Sequence, residues 1–139
     1  MPENDREPWE CWLHVPDDPC AVTVSRRTLR LILTLHGLLH LADTAEPLAT
    51  ELVTNAVRHT EGSAALRVRW KGGVLRIGAW DASPEPPDPP CLVGRCADDR
   101  EEGRGLVLVR ACADLWGWQP LARNGSRGKC VWCDLAATA

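Results

Sequence analysis

The sequence predicts an α+β fold, a two-layer sandwich with a mainly antiparallel sheet and helices on one face. Three observations predict it. Two consecutive segments carry apolar residues at helical spacing, two alternating runs flank a Gly-Gly turn, and a last pair of runs closes around Asn-Gly. The 139 residues suit one domain with one core. Residues 1–8 are expected to be a disordered tail and 9–139 the domain. Hydrophobic residues at 45% and charged residues at 25% are ordinary globular composition. Lys+Arg 16 against Asp+Glu 19 leaves a net charge of -3, the wrong sign for a dedicated nucleic-acid binder. The most apolar stretch, 29–42, is short and broken by Arg30, His36 and His40, so no membrane span is expected. The acidic N-terminus lacks the basic start and apolar run of an export signal, which makes the cytoplasm the expected compartment. Seven scattered cysteines, an odd number, give no disulfide framework.

Along the chain, residues 9–15 read as a first strand, stopped by Pro16-Asp17-Asp18-Pro19. Ser25 is a candidate cap for a helix over 26–42, apolar on most faces through Leu29, Ile32, Leu33, Leu35, Leu38 and Leu39, and expected to be well buried. Asp43 or Thr44 caps a second helix to about His59, with Pro47 near its start. Ala45, Ala49, Leu52 and Ala56 form its apolar stripe, widened by Val53 and Val57. Runs 64–70 and 74–80 form a hairpin through Lys71-Gly72-Gly73. The proline-rich, acidic stretch 84–100 is loop, and its length suits a lid or binding loop. Gly103-Arg104-Gly105 opens a third helix from Leu106 to about Leu115. A closing hairpin pairs 118–123 with 129–136 across Asn124-Gly125.

Three features carry chemistry. Glu51 and Asn55 lie one turn apart at the flank of the second helix's stripe. Asn offers a neutral oxygen to Mg²⁺ and Glu can deprotonate a neighbouring hydroxyl, although the same pair also reads as a solvated helix edge. Asp81 ends an apolar strand, where it can accept from an exocyclic amine such as that of adenine, or cap its own turn. The glycines of Gly103-Arg104-Gly105-Leu106 allow close backbone approach, and a helix start favours an anion. The same segment also reads as a hinge before the helix.

In this order the features resemble the anti-sigma-factor serine/threonine kinases of the histidine-kinase-like ATPase superfamily. ELVTNAVRHT is similar to the family's N-box, WDASP to its first glycine box, EEGRGLVLVRACADLWGW to its second and GKCVWCDL to its closing strand, over about residues 20–136. The resemblance implies Glu51 as catalytic base, Asn55 as Mg²⁺ ligand and Asp81 as acceptor for the adenine amine of ATP. Gly103, Arg104, Gly105 and Leu106 would cradle the phosphates under a lid at 84–102. Two positions depart from the family. Ser83 stands where glycine is usual, and Cys130 where a threonine commonly helps to hold adenine.

Three functions compete. The first is an ATP-dependent protein serine/threonine kinase acting on an anti-sigma antagonist. The second is a non-catalytic ATP-binding module that holds a sigma factor or another regulator; the complete N-box favours the first. The third is a metal or redox protein built on Cys130 and Cys133 with Cys91 and Cys96, disfavoured because residues three apart in a strand face opposite ways. The resemblance also suggests a homodimer or a complex with a sigma factor, with no direct nucleic-acid or membrane partner. His59 reads as a helix-terminal charge or a phosphate contact. Trp70, Trp80, Trp116 and Trp132 are expected in the core, and Trp9 and Trp12 at an edge or a partner surface.

Overall fold

The computed structural model describes residues 7–18, 20–58, 64–83, 85 and 115–136. Five strands, β1 (Trp9–Val15), β2 (Ala64–Lys71), β3 (Val74–Asp81), β4 (Leu115–Pro120) and β5 (Lys129–Ala136), form one sheet in the order β1-β2-β3-β5-β4. Every neighbouring pair is antiparallel. Two helices, α1 (Ala21–Leu35) and α2 (Ala42–Arg58), pack on each other, and α2 lies on β2 and β3. The predicted α+β sandwich is therefore the observed fold.

The β2–β3 hairpin turns on Gly72 and Gly73, at φ 59° and 79°, a left-handed pair that glycine adopts without strain. Alternation then divides the strands. Leu66, Val68, Trp70, Leu75, Ile77 and Ala79 join the core with Leu29, Leu33, Leu48, Leu52 and Val53 of the helices. The expected α2 stripe is the observed one: Ala45, Ala49, Leu52, Val53 and Ala56 are buried and Val57 packs against them. Pro47 sits inside α2, where its missing N–H costs one backbone bond.

Helix α1 departs from expectation at both ends. It starts five residues early, at Ala21, and its N-cap, Cys20, makes no side-chain cap bond; Asp18 Oδ1 accepts the Cys20 backbone N–H at 2.7 Å in the turn that precedes the helix. Ser25 is instead buried inside the helix. The helix stops at Leu35 because Gly37 takes φ 73°. The N–H groups of Gly37 and Leu38 then donate to the carbonyls of Thr34 and Leu33, a glycine-terminated cap sealed by buried Leu38. A short 3-10 turn, Leu39–Leu41, leads into α2. As a result Leu35 and Leu39 are exposed at 75% and 48%, not buried as expected.

The closing hairpin also shifts. Strand β4 begins at Leu115, expected to end the third helix, and stops at Pro120; the Asn124-Gly125 turn, at φ 51° and 80°, stands as read. The expected third helix over 106–114, the lid apart from Glu85, residues 1–6 of the tail and His59 lie outside the described residues.

Trp70 and Trp80 are fully buried, and Trp116 packs half-buried against the core. Trp132 is the exception among the expected core tryptophans: it lies half-buried on the outer face beneath the Arg76 guanidinium, 3.7 Å from its ring. At the edge strand, Trp9 stacks on His36 at 3.9 Å and Trp12 lies under Arg67 and Arg123.

Candidate nucleotide site

Helix α2 puts Glu51 and Asn55 on one flank of its buried stripe, both half-buried. Asp81 belongs to the same alternating set of β3 as Leu75, Ile77 and Ala79, so its side chain leaves the sheet on the face that α2 covers. Glu51 and Asn55 thus lie on the helix layer and Asp81 on the sheet face that this layer covers. Gly103, Arg104, Gly105 and Leu106 lie outside the described residues.

The end of β3 is the most charged part of the interior. Asp81 is 2% exposed and pairs in register with Lys129, the first residue of β5. The Lys129 Nζ donates to Asp81 Oδ1 at 2.9 Å and to the Ser83 carbonyl at 3.4 Å, and the Ser83 N–H donates to the same Oδ1 at 2.9 Å. Gly128 makes this approach possible. A Cβ there would fall 2.1 Å from the Asp81 carbonyl oxygen and 2.8 Å from the Trp80 ring. Behind the pair, Trp80 Nε1 donates to the Leu121 carbonyl at 2.6 Å and ties the end of β3 to the last hairpin.

Lys129 is the residue that sequence reasoning missed. Its one signal was being one of two lysines, with Lys71, among 16 basic residues. The next residue, Cys130, stands where the family commonly has a threonine. Its side chain lies on the other face of the sheet with Ala65 and Trp80, so it does not meet Asp81 from the helix side.

Cys130 and Cys133 indeed face opposite ways: Cys133 belongs to the main core and Cys130 to the smaller cluster beneath Trp80. Burial pushes the Cys130 thiol up to about 11 and the Cys133 thiol to about 12, so neither is the thiolate that metal or redox chemistry uses. Cys91 and Cys96 lie outside the described residues.

The donor set at the end of β3 and on α2 is oxygen-rich: a carboxylate and a carboxamide on the helix and a buried carboxylate on the strand. Among the described residues no group of three or more His, Cys, Asp or Glu could hold a metal ion. The family model of the histidine kinase-like ATPase domain matches residues 16–133. The chain belongs to this family. A curated relative from Streptomyces coelicolor, described as an uncharacterized protein, is 34% identical over 90 residues, which is 63% of this chain and 80% of the relative. Membership in the histidine kinase-like ATPase family supports ATP binding, with Mg²⁺ as its usual companion, in a regulatory role. Among the described residues no helix is long and apolar enough to cross a membrane.

Proposed function

We propose that this histidine kinase-like ATPase domain is an ATP-dependent serine/threonine protein kinase of the anti-sigma-factor type, acting on an anti-sigma antagonist. The observation that carries this reading is the placement of Glu51 and Asn55 on the helix that covers the face from which Asp81 projects.

The residues divide the work by their chemistry. Asp81 accepts from the exocyclic amine of the base through a carboxyl oxygen. Asn55 lends its amide oxygen to Mg²⁺, which demands oxygen ligands. Glu51 takes the proton of the attacking serine or threonine hydroxyl. Gly103, Arg104, Gly105 and Leu106 are proposed to cradle the phosphates, on the strength of the glycine-rich pattern alone. Bound Mg·ATP supplies the transferable phosphoryl group; the chain's residues orient it and move the proton.

Single-turnover transfer from labelled ATP to copurifying partner protein tests this reading. Glu51→Ala is expected to leave ATP affinity nearly intact and to slow transfer by about 10²–10⁴-fold, the usual cost of losing a general base. Asn55→Ala is expected to lose affinity and transfer together. Transfer by Glu51→Ala at the wild-type rate removes Glu51 from the role of base. A wild type that binds ATP and transfers nothing leaves the second reading, an ATP-binding module that holds a sigma factor or another regulator.

A further inference from the structure

We propose that the outer face of the sheet is a docking surface for an acidic segment of a partner protein, whose carboxylates are received by Arg69 and Arg123. Among the described residues no helix lies on this face. It is the side of the sheet away from α2, so the inference stands apart from the nucleotide reading.

Strand register lays the face out in rows. One row holds Glu10, Arg69, Arg76 and Asp134, and the next holds Trp12, Arg67 and Trp132. Arg123, just beyond β4, reaches over the Trp12 ring at 4.4 Å and lies 5.6 Å from that of Trp80. Four arginines therefore share this face with two carboxylates, and both carboxylates are already engaged. Glu10 accepts from Arg67 at 2.9 Å, and Asp134 accepts from Arg76 at 2.7 and 2.9 Å. Among the described residues, no hydrogen bond or ion pair holds the guanidinium of Arg69 or that of Arg123.

The cationic excess is unfavourable where it stands. Partial burial and the neighbouring Arg76 and Arg67 hold Arg69 below its ordinary value, and Asp134 and Glu10 offset only part of this. A carboxylate arriving from outside relieves the repulsion and takes two parallel bonds from one guanidinium. Arg123 is steadied over Trp12 by the ring's attraction for a cation, so less freedom is lost when its N–H edge is bound. Adjacent rows are about 7 Å apart, the spacing of alternate side chains along an extended chain. Acidic residues two apart therefore match Arg69 and the row of Arg123. The sign selects the partner: the chain as a whole carries a net charge of -3, yet this face is positive. A second copy presents the same excess on the same face and is repelled. Single-stranded nucleic acid, another polyanion, binds by stacking bases on open aromatic faces. Here those faces are taken, Trp132 by Arg76 at 3.7 Å and Trp12 by Arg123.

The test uses a labelled short peptide with glutamate at alternate positions, titrated into the full chain without nucleotide. Anisotropy gives the affinity at low and at physiological salt, and NMR of the arginine Nε–H and tryptophan indole N–H signals gives the place. Wild type is expected to bind more weakly as salt rises, with shifts centred on Arg69, Arg123 and Trp12. The double variant Arg69→Gln with Arg123→Gln should bind about tenfold or more weakly, the worth of a hydrogen bond to a charged group. Arg27→Gln, on the exposed side of α1, should bind as wild type does. A double variant with wild-type affinity overturns the proposal. So do wild-type shifts confined to other residues, a result that needs no variant to fold. A thymidine oligonucleotide that displaces the peptide and binds this face more tightly overturns the choice of an acidic protein segment in favour of single-stranded nucleic acid. Because no nucleotide cofactor is present, none of these outcomes depends on the kinase reading.

Discussion

The two faces of the sheet are made from alternate residues of the same strands and handle charge in opposite ways. On the helix-covered face every position from Leu66 to Ala79 is apolar, and charge enters only at the end of β3, as Asp81 with Lys129. On the outer face, one row across the sheet reads Glu10, Arg69, Arg76 and Asp134, and the next reads Trp12, Arg67, Gly78, Trp132 and Gly117. Arg76 grips Asp134 with two bonds of 2.7 and 2.9 Å while lying over Trp132. Arg67 bonds Glu10 at 2.9 Å. Gly117 leaves space for Trp132 to lie along the strands; a Cβ there would meet its ring at 2.7 Å. Guanidinium groups over indoles cover that face with the strands' own side chains. Where polar groups are this abundant, one more ion pair is structural. The Asp81 and Lys129 side chains, at 3% and 4% exposure, are by contrast almost wholly buried.

Mutations sharpen this contrast. The largest stability loss is expected from Lys129→Met, about 3–5 kcal/mol, because it strands a buried carboxylate. Leu66→Ala on the same face is expected to cost about 2–5 kcal/mol through lost burial and the cavity left behind. Chemical denaturation of both variants checks the pair. A Lys129→Met variant as stable as wild type would mean that the pair adds nothing to stability.

Asp134→Asn on the outer face should cost less, about 1.5 kcal/mol, since Arg76 keeps its place over Trp132 and reaches solvent. A loss equal to that of Lys129→Met would erase the distinction between the faces.

The smallest effect is a pH dependence at Glu10. Burial alone would raise this carboxyl, but hydrogen bonds from Arg67 and Trp12 more than offset that and hold it below its ordinary value. A carboxyl lowered by folding adds stability above its unfolded value, and the contribution is lost as pH falls through the folded one. Glu10→Gln should therefore narrow the stability difference between neutral pH and about pH 4. An unchanged acid limb would show the Glu10 contacts to be energetically idle.

Much of this architecture was legible because alternation and helical spacing are local. The Gly72-Gly73 turn, the α2 stripe and the opposed directions of Cys130 and Cys133 each follow from a few neighbouring residues. The errors came from signals that competed. Ser25 is the better cap by type, but the helix already begins at Ala21, behind an N-cap with no side-chain bond. Gly37 was passed over inside an apolar run, although it ends α1. Trp132 reads as core because the sequence does not say which residue, Gly117, lies beside it across the strands. The site was half legible for the same reason. Glu51 and Asn55 are one helical turn apart and visible on the chain, whereas Lys129 meets Asp81 only through strand register 48 residues away.

The central claim is that the α2 and β3 residues form a nucleotide site, and calorimetry with Mg·ATP on wild type, Asp81→Asn and Asn55→Ala tests it most directly. Wild type is expected to bind with measurable heat. Asp81→Asn should bind about 10–100-fold more weakly, because a charge-assisted acceptor has become a neutral amide, and Asn55→Ala should weaken binding only when Mg²⁺ is present. No heat with wild type, or equal affinity for all three proteins, would contradict the account.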